Sequence, residues 1–421
     1  MRRLAFFLAF LAACGTRASQ EPVTLRVGVL GPFGPFTSTN DSTSTTLAQD
    51  LVYETLFHPD GSALASRVFA RWEHVGPGRL RALVADGLAF SDGSPVRTDD
   101  VAAAIAEAGL GVRRSGSWLE IEAVEKPSPP VEALLLPVVV HKATAAGDLG
   151  TRPFRLVSGD ARHIVLQRVV PVRGRIARVE LVAYESTRAA FADALKSGVN
   201  AAVSLDERLV ELADGVPGLR VLRSRAPNAL AVVFNARRLS PGARRAIAAA
   251  LPVGEIGDVA QGKSCGPPSG RVAAVPLSPG PAIDVLTVAS DPPSERAALA
   301  VRRSLGRRGG EVVSTTLQQM LGRLDRFDLH VSAPVVSPSA AAALQWRTGA
   351  RFNFSGYSNP AYDAAVDAGD FARAEEALRA DPPAIFLCRR ERIAVVDARI
   401  ARAELGEWGT LDTLPDWEVA E

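Results

Sequence analysis

The stretch from Ile283 to Pro334 constrains the fold most, because it alternates three short apolar runs with two segments of helical composition. The predicted order is strand, helix, strand, helix, strand, over Ile283–Ala289, Ser294–Arg307, Val312–Thr315, Leu317–Leu324 and Phe327–Ser332. The first run is predominantly apolar, as expected for a parallel strand that is covered on both faces. Gly309 and Gly310 mark the end of the first helix, since glycine commonly follows a helix. The sequence therefore predicts a βαβαβ unit and an α/β fold.

The ends of these predicted strands indicate where a ligand would bind. In an open parallel sheet, ligands bind beyond the carboxyl ends of the strands. Those ends carry small polar side chains and a proline, at Ser290, Thr315, Thr316 and Ser332–Pro334. We therefore expect a binding site along this edge of the sheet.

The N-terminus decides the compartment of the chain. Arg2 and Arg3 precede the apolar run Leu4–Ala13, which is too short to cross a bilayer, where about 20 residues are needed. This pattern predicts a signal peptide rather than an anchor helix. Small residues directly before Cys14 resemble a lipobox, in which Cys14 becomes the lipidated N-terminus; an ordinary signal peptide with a chance cysteine is the alternative. We expect a lipoprotein signal peptide with its lipobox over residues 1–14, and a protein of the periplasm or cell envelope that is anchored to a membrane by lipid.

Charge and histidine spacing exclude several classes of function. The formal net charge is +2, so removal of Arg2 and Arg3 leaves 2 − 2 = 0. No block of like charge suggests nucleic-acid binding, and no later apolar run is long enough to cross a membrane. The histidines are isolated, without partners four residues away, at His58, His74, His141, His163 and His330. We therefore expect neither a metal site nor a cofactor.

A second ordered pattern runs through the first quarter of the chain. It comprises a helix end, a strand pair, a tight turn and a capped helix, at Leu51–Phe57, Trp72–Val84, Asp92–Gly93 and Thr98–Ala108. Thr98 is a good N-cap residue, and Asp99 and Asp100 put negative charge at the helix start, where the helix dipole favours it. This order resembles the signature of bacterial extracellular solute-binding proteins of the oligopeptide, dipeptide and nickel type, known as family 5.

Further segments resemble this family in the same order along the chain. They are Gly150–Leu156, Lys196–Val203, Asn228–Asn235, Arg244–Leu251, Phe352–Asp363 and Asp381–Leu387. The resemblance covers nearly all of the mature chain. It implies an α/β, two-lobed periplasmic-binding-protein-like fold (type II, cluster C) with three domains, of which the small one is shortened. The implied division is lobe I at 22–40, 150–230 and 386–421, a small extra domain at 41–149, and a lobe II domain with the βαβαβ unit at 231–385.

The resemblance also implies a function. The chain would be a lipid-anchored substrate-binding protein of an ABC-type importer, which captures a small solute, peptide-like or other, between two lobes by hinge closure. Its partners would be the permease subunits and, through Cys14, the membrane; the chain itself would be a monomer and no enzyme. Two alternatives stay open: a degenerate or repurposed member that acts as a sensor or assembly lipoprotein, and a hydrolase that uses the cleft. The hydrolase is disfavoured, because the sequence has no Gly-x-Ser-x-Gly or His-Glu-x-x-His motif.

Ligand contacts follow from the resemblance as well. The implied residues are Phe33 and Thr37 in the loop after the first strand, Thr315, Ser332 and Pro334 at strand ends, and Asn353, Phe354 and Tyr357 before a helix. Trp346 is a further candidate as an aromatic wall, and core packing is the alternative for this residue. In peptide binders of the family, an aspartate after the third strand pairs with the ligand's α-ammonium. Here Val331–Pro338 has no acidic residue, since Pro334 and Ser337 replace the two aspartates. Burial of an unpaired ammonium is costly, so we expect a ligand other than a free peptide.

Two further patterns need an interpretation. Gly257–Ser264 matches the P-loop pattern letter for letter, but Cys265 and a Gly-Pro-Pro run follow where a P-loop needs a helix. We interpret this match as accidental. Cys265 and Cys388 form one disulfide or remain two thiols, and the sequence does not distinguish these alternatives.

Overall fold

The computed structural model describes residues 23–38, 43–60, 63–76, 78–124, 131–145, 147–262, 265, 277–289, 291–336, 339–350 and 352–420. The predicted signal peptide with Cys14 lies outside these residues, as do Lys263, Ser264, Ser290 and Ser337. The strands in chain order are β1 (Thr24–Leu30), β2 (Glu54–Thr55), β3 (His58–Asp60), β4 (Ala63–Ala65), β5 (Phe69–Gly76), β6 (Arg79–Val84), β7 (Gly111–Ser115), β8 (Trp118–Glu122), β9 (Val139–Val140), β10 (Lys142–Thr144), β11 (Gly147–Leu149), β12 (Phe154–Gly159), β13 (His163–Arg168), β14 (Arg178–Tyr184), β15 (Ala201–Ala202), β16 (Leu219–Phe234), β17 (Ile283–Val288), β18 (Gly309–Thr315), β19 (Leu329–Ser332), β20 (Ala384–Asp397), β21 (Ile400–Ala401) and β22 (Glu418–Val419). The α-helices are α1 (Thr43–Val52), α2 (Thr98–Glu107), α3 (Val131–Leu135), α4 (Thr187–Leu195), α5 (Glu207–Val210), α6 (Pro241–Ala250), α7 (Val253–Gln261), α8 (Pro292–Ser304), α9 (Leu317–Leu321), α10 (Ser339–Ala343), α11 (Pro360–Asp367) and α12 (Phe371–Ala380). Within the described residues, no helix is long and apolar enough to cross a membrane.

One large mixed sheet organises the chain. Its strand order is β12-β13-β14-β1-β15-β20-β16-β19-β17-β18. The neighbours β14, β1 and β15 are parallel on one side, and β19, β17 and β18 are parallel on the other. Between them lie the long strands β20 and β16, which are antiparallel to each other. We name the half with β1 and β12–β15 lobe I, and the half with β17–β19 lobe II.

β16 shows how the sheet is covered on both faces of lobe II. Leu230, Val232 and Phe234 are buried with residues of α7 and α8, whereas Ala231 and Val233 are buried with residues of α11 and α12. Neighbouring side chains of a strand point to opposite faces, so a strand that is covered on both faces needs a continuous apolar run. The predicted βαβαβ unit and the predicted α/β class are confirmed. β16 begins at Leu219, because it continues from lobe I into lobe II.

A separate four-stranded sheet, in the order β5-β6-β8-β7, packs against α2. The predicted tight turn precedes α2, and Gly93 there has a φ of +83°, which favours glycine. The predicted cap is wrong by one residue, because the helix begins at Thr98 and Arg97 is the N-cap. The carboxylate of Asp100 accepts the Arg97 backbone N–H at 2.7 Å, and this bond fixes the helix start.

The segment around α7 contains the P-loop match, and Cys265 lies directly after it. Cys265 and Cys388 form a disulfide, which joins the segment after α7 to β20. A side chain at Gly257 would place its Cβ 2.4 Å from Cys265 Sγ, so α7 requires glycine where it passes the disulfide. Most of the P-loop pattern is helical, because α7 extends to Gln261. A P-loop needs an open loop whose N–H groups face the phosphates, so the match is accidental.

Candidate ligand-binding cleft

The carboxyl ends of the parallel strands in both lobes point toward the junction between the lobes. In lobe I, Ala201 of β15 pairs with Val396 of β20 and Ala202 pairs with Val395, so β15 runs toward the junction. In lobe II, β19 begins opposite Phe234 of β16 and ends opposite Ala231, so β19 runs toward the junction from the other side. The strands parallel to β15 and β19 share these directions. The two carboxyl edges therefore face each other across a cleft, at the position where open parallel sheets bind ligands.

β16 and β20 cross between the lobes, and their pairing is irregular at two levels: a register shift between Leu230 and Ala231, and a wider gap at the junction of the lobes. β16 pairs with β20 up to Arg225 and again from Ala229, with a register shift between these residues. Pro227 lies in the gap, and proline has no N–H to donate to a ladder. We name residues 226–228, together with the facing Arg390 of β20, the crossing segment.

The loop that follows β19 is held against the crossing segment. The backbone N–H of Val336 donates to Pro227 O at 2.7 Å, and Asn228 Nδ2 donates to Ala333 O at 2.9 Å. Gln345 holds Val335 from another direction, because its amide accepts the Val335 N–H at 3.0 Å and donates to the Val335 carbonyl at 2.7 Å. Ser332 ends β19 directly before this loop and, like Pro334, is partly buried. The loop is thus a fixed wall at the cleft, and several of its backbone groups already have partners.

Thr315 ends β18 on the same edge of lobe II. Its side chain is buried, and its Oγ1 donates to Gln319 Oε1 at 2.5 Å. The carbonyl of Thr315 accepts the Ala289 N–H at 2.7 Å. A ligand at this position would therefore compete with Gln319 for the Thr315 hydroxyl.

On the opposite edge, the loop after β1 is fastened to α1. Gln49 Nε2 donates to Thr37 O at 2.5 Å, and Ser44 Oγ donates to Pro32 O at 2.5 Å. Thr37 is exposed, whereas Phe33 packs into the core of lobe I and is 5% exposed. Of these two predicted ligand residues, Thr37 is the one whose side chain is open to solvent.

Ion pairs join the lobes beside the cleft. Arg296 of α8 in lobe II lies 3.1 Å from Asp206, which precedes α5 in lobe I. Arg390 of the crossing segment binds Asp291, which precedes α8, through two bonds of 3.0 and 2.6 Å. Asp206 before α5 and Asp291 before α8 are therefore each paired with an arginine.

The loop before α11 is stabilised by its own side chains. Asn353 Nδ2 donates to the carbonyls of Arg347 at 2.9 Å and Tyr357 at 2.7 Å. Tyr357 is buried, and its hydroxyl accepts a bond of 2.9 Å from Asn359 Nδ2. Asn353 and Tyr357 thus hold the shape of this loop, whatever further contact they make.

These residues lie at a different edge of lobe II from the cleft. Asn353, Phe354 and Tyr357 line a cavity of about 630 Å³, together with Arg237 and Leu324. Arg237 follows the end of β16 and Leu324 precedes β19, so the cavity lies at the amino edge of the lobe II strands. We name it the outer cavity. Of the predicted ligand residues in lobe II, Thr315, Ser332 and Pro334 lie at the cleft. Asn353, Phe354 and Tyr357 lie at the outer cavity. Trp346 is 4% exposed and lies in the lobe II core.

Sequence reasoning missed a cluster of four charged side chains beneath the C-terminal segment. A side chain on Gly409 would lie 2.7 Å from Asp50 Oδ2 and 2.9 Å from Asp412 Cβ, so both aspartates approach this glycine. Burial and the charge of Asp412 raise the pKa of Asp50 to about 7, and burial raises the pKa of Asp412; Arg152 and Arg392 oppose both shifts. The aspartates are far apart in the sequence and lie in no motif, so no local signal indicates their proximity.

No arrangement typical of a metal centre is present in the part of the chain that the structure describes. No group of three or more His, Cys, Asp or Glu side chains there could hold an ion. His330 lies in β19, and burial lowers its pKa to about 4. This histidine is therefore a neutral core residue of lobe II at physiological pH.

Comparison with known proteins identifies the fold. No model of a protein family and no curated protein matches the sequence. The oligopeptide-binding protein AppA from Bacillus subtilis, in complex with a nonapeptide, matches with a TM-score of 0.75 at 14% identity, over 95% of this chain and 100% of its own. The ABC transporter substrate-binding protein CtaP from Listeria monocytogenes matches with a TM-score of 0.75 at 14% identity, over 96% and 100%. NikA from Staphylococcus aureus, in complex with Ni(L-His)2, matches with 0.72 at 12% identity, over 92% and 98%.

These matches are to binding proteins of the kind that the sequence motifs resemble, and they extend over nearly the whole chain. At such low identity the likeness concerns the fold. The predicted two-lobed α/β fold of periplasmic binding proteins is confirmed.

Proposed function

We propose that this chain is the substrate-binding protein of an ABC-type importer and captures a small solute between lobe I and lobe II. One observation carries the proposal: the carboxyl edges of two groups of parallel strands face each other across a cleft that β16 and β20 cross. The fold match supports the same function. The solved structures hold ligands as different as a nonapeptide and a nickel–histidine complex, so the fold alone leaves the ligand class open.

Closure of the lobes would occur by bending at the crossing segment. Hinge closure needs a few residues that absorb changes in φ and ψ. Pro227 interrupts the ladder at this level, so bending there breaks no hydrogen bond between β16 and β20. The Asp206–Arg296 ion pair joins the lobes directly, and it would therefore favour the closed arrangement.

Lipidation of Cys14 would place the protein at the outer face of a membrane, next to the permease subunits that receive the solute. The proposed domain division is that of the sequence pattern, with lobe I at 22–40, 150–230 and 386–421, the small domain at 41–149, and lobe II at 231–385. A monomer is sufficient for this role, because both walls of the cleft come from one chain.

Solute contacts in the cleft would come from uncharged groups. We assign Ser332, Pro334 and Thr315 to the lobe II wall and Thr37 to the lobe I wall, since these residues end strands or follow them on the facing edges. Phe33 and Trp346 would reach a solute only after local rearrangement, because both are buried in their lobes. These uncharged side chains favour a solute that binds the lobe II wall without an ion pair.

Native mass spectrometry of the full-length protein, purified without denaturant, tests the proposal. We expect a bound small molecule that denaturation releases. Ser332→Trp should abolish the bound mass by filling the cleft, whereas Ser158→Trp on the exposed part of β12 should retain it. Absence of any bound species in wild type after supply of extracellular solutes, or equal retention by the Ser332→Trp variant, would refute binding in the cleft.

A further inference from the structure

The outer cavity is spatially independent of the cleft. It is an open cavity with a volume of about 630 Å³, which lies within the range of small-molecule sites, roughly 300–1,000 Å³. Six strand residues of β16, Ala229–Phe234, separate the crossing segment from the turn with Arg237, a distance of roughly 20 Å at about 3.3 Å per strand residue. A ligand here would therefore touch neither lobe I nor the cleft wall after β19.

The walls of the outer cavity are fixed by buried hydrogen bonds. Asn235 Nδ2 donates to the carbonyls of Leu324 at 2.6 Å and Phe327 at 2.7 Å, and these bonds hold the segment that precedes β19. The opposite wall is the loop that Asn353 holds through four bonds to its own backbone and to Ser355. Because both walls are ordered before any ligand arrives, binding would carry a small ordering cost.

Arg237 is positioned as a cation on the wall of this cavity. A side chain at Gly356 would meet Arg237 Cγ at 2.6 Å and Arg237 Cζ and Nε at 2.7 Å, so both the stem and the guanidinium of Arg237 lie against this glycine. Its Nη1 donates to Phe354 O at 3.2 Å. A guanidinium has five N–H donors in a planar fork that suits a carboxylate, so this one bond leaves donors for a ligand.

The same cavity also presents a carboxylate and an apolar surface. Asp325 lines it and is exposed. Leu321, Leu324 and Phe354 supply the apolar part, and Leu321 is 40% exposed. One cation, one anion and an apolar patch in a single cavity match the three parts of an α-amino acid with an apolar side chain.

We propose that the outer cavity binds a zwitterionic α-amino acid with an aromatic or large aliphatic side chain. Arg237 binds the carboxylate, Asp325 binds the ammonium group, and Leu321, Leu324 and Phe354 contact the side chain. Single ion pairs at a protein surface contribute little, so the site selects ligands that satisfy both charges together. This site is additional to the cleft and does not depend on the solute that the cleft takes.

Isothermal titration of the full-length protein with L-phenylalanine tests the site. Two probes each lack one charged group: 3-phenylpropionate lacks the ammonium and 2-phenylethylamine lacks the carboxylate. We expect saturable binding of L-phenylalanine and roughly three- to fivefold weaker binding of both analogues. Arg237→Gln and Asp325→Asn should each weaken L-phenylalanine binding roughly three- to fivefold, and Arg323→Gln, an exposed arginine of the same segment, should not.

The cleft variant separates this proposal from the proposed function. Ser332→Trp should bind L-phenylalanine as wild type does, even where it loses the solute of the cleft. Loss of L-phenylalanine binding in Ser332→Trp with retention in Arg237→Gln would assign the amino acid to the cleft and overturn the outer site. Absence of saturable binding, or equal binding of the two analogues, would also overturn it.

Discussion

Asp206 Oδ2 in lobe I lies 3.1 Å from Arg296 Nη1 in lobe II. Asp206 also accepts the Leu209 N–H at 3.2 Å and so caps α5. Arg296 donates from Nη2 to Ala260 O at 2.6 Å, at the end of α7. Each partner is therefore oriented by a helix of its own lobe, and the ion pair links the two lobes without a flexible intermediate.

Asp206→Asn should shift the protein toward a more open arrangement. Asparagine keeps the N-cap of α5, so the substitution removes the charge and leaves the helix. A partly exposed ion pair contributes up to about 1 kcal/mol, which corresponds to at most roughly a fivefold change in the ratio of closed to open protein. Small-angle X-ray scattering of ligand-free protein should show a larger radius of gyration. Asp370→Asn, which changes an equivalent cap within lobe II, is the matched control, and an equal radius in both variants would contradict the prediction.

The Asp50–Asp412 pair should make stability decrease as the pH rises. The pKa of Asp50 increases from 3.8 to about 7 on folding, so between these values the folded protein holds a proton that the unfolded chain releases. The unfolding free energy then decreases with pH: the cost of Asp50 is absent below about pH 4, increases up to about pH 7, and is constant above it. Asp50→Asn should therefore raise the melting temperature at pH 8, and the gain should disappear toward pH 4.

Thermal unfolding followed by circular dichroism from pH 4 to pH 8 measures this effect. Asp214→Asn, at an exposed position after α5, controls for the general loss of one negative charge. The Asp50 variant should differ from it in the slope with pH. A gain at pH 8 that persists unchanged at pH 4 would mean that the cause is packing against Gly409 rather than titration.

The disulfide should contribute substantially to the stability of the protein. Cys265 and Cys388 are separated by 123 residues, and a link across a loop of this length restricts the unfolded chain by about 4–5 kcal/mol in the chain-entropy model. The double substitution Cys265→Ala and Cys388→Ala should therefore lower the unfolding free energy by about 3–5 kcal/mol in urea. Dithiothreitol should reproduce the loss in wild type and have no effect on the double variant. Wild type that is insensitive to reductant under denaturing conditions would indicate free thiols.

The fold follows from local patterns, and this is why the sequence predicts it well. Ile283–Val288 and Leu230–Phe234 need apolar residues at nearly every position because helices cover both faces of their strands. Local pattern also explains the turn at Gly93, where a positive φ favours glycine. Such features depend on residues that are close in the sequence.

The site is less predictable because it depends on contacts between distant segments. Asn353 belongs to a recognisable motif, but the motif does not show which group the Asn353 amide contacts. In the structure, this amide binds the backbone of its own loop. The pairs Asp206–Arg296 and Asp50–Asp412 join segments that no local pattern connects. The order of strands and helices predicts Ser332 and Pro334 at the cleft edge, because ligands bind beyond the carboxyl ends of parallel strands.

Cys14→Ser should release the protein from the membrane. The small residues before Cys14 resemble a lipobox, and a serine cannot form the thioether that carries the lipid. We expect the wild-type protein in the membrane fraction, with processing that globomycin blocks, and the variant in the soluble fraction. Membrane retention of the variant with globomycin-insensitive processing would contradict lipidation at this residue.

The solute of the cleft should lack a free α-ammonium group. The peptide binders that the sequence motifs resemble carry two aspartates where this chain has Pro334 and Ser337. The Ala229 N–H already occupies the Pro334 carbonyl. A buried charge without its partner costs about 3–5 kcal/mol, which at about 1.4 kcal/mol per tenfold reduces affinity roughly a hundredfold or more. We therefore expect free di- and oligopeptides to bind at least a hundredfold more weakly than the same peptides after N-acetylation, in isothermal titration with a mixed library. Tight binding of free peptides that disappears on N-acetylation would show that another carboxylate anchors the ammonium, and that the loop after β19 is not where the ligand's N-terminus lies.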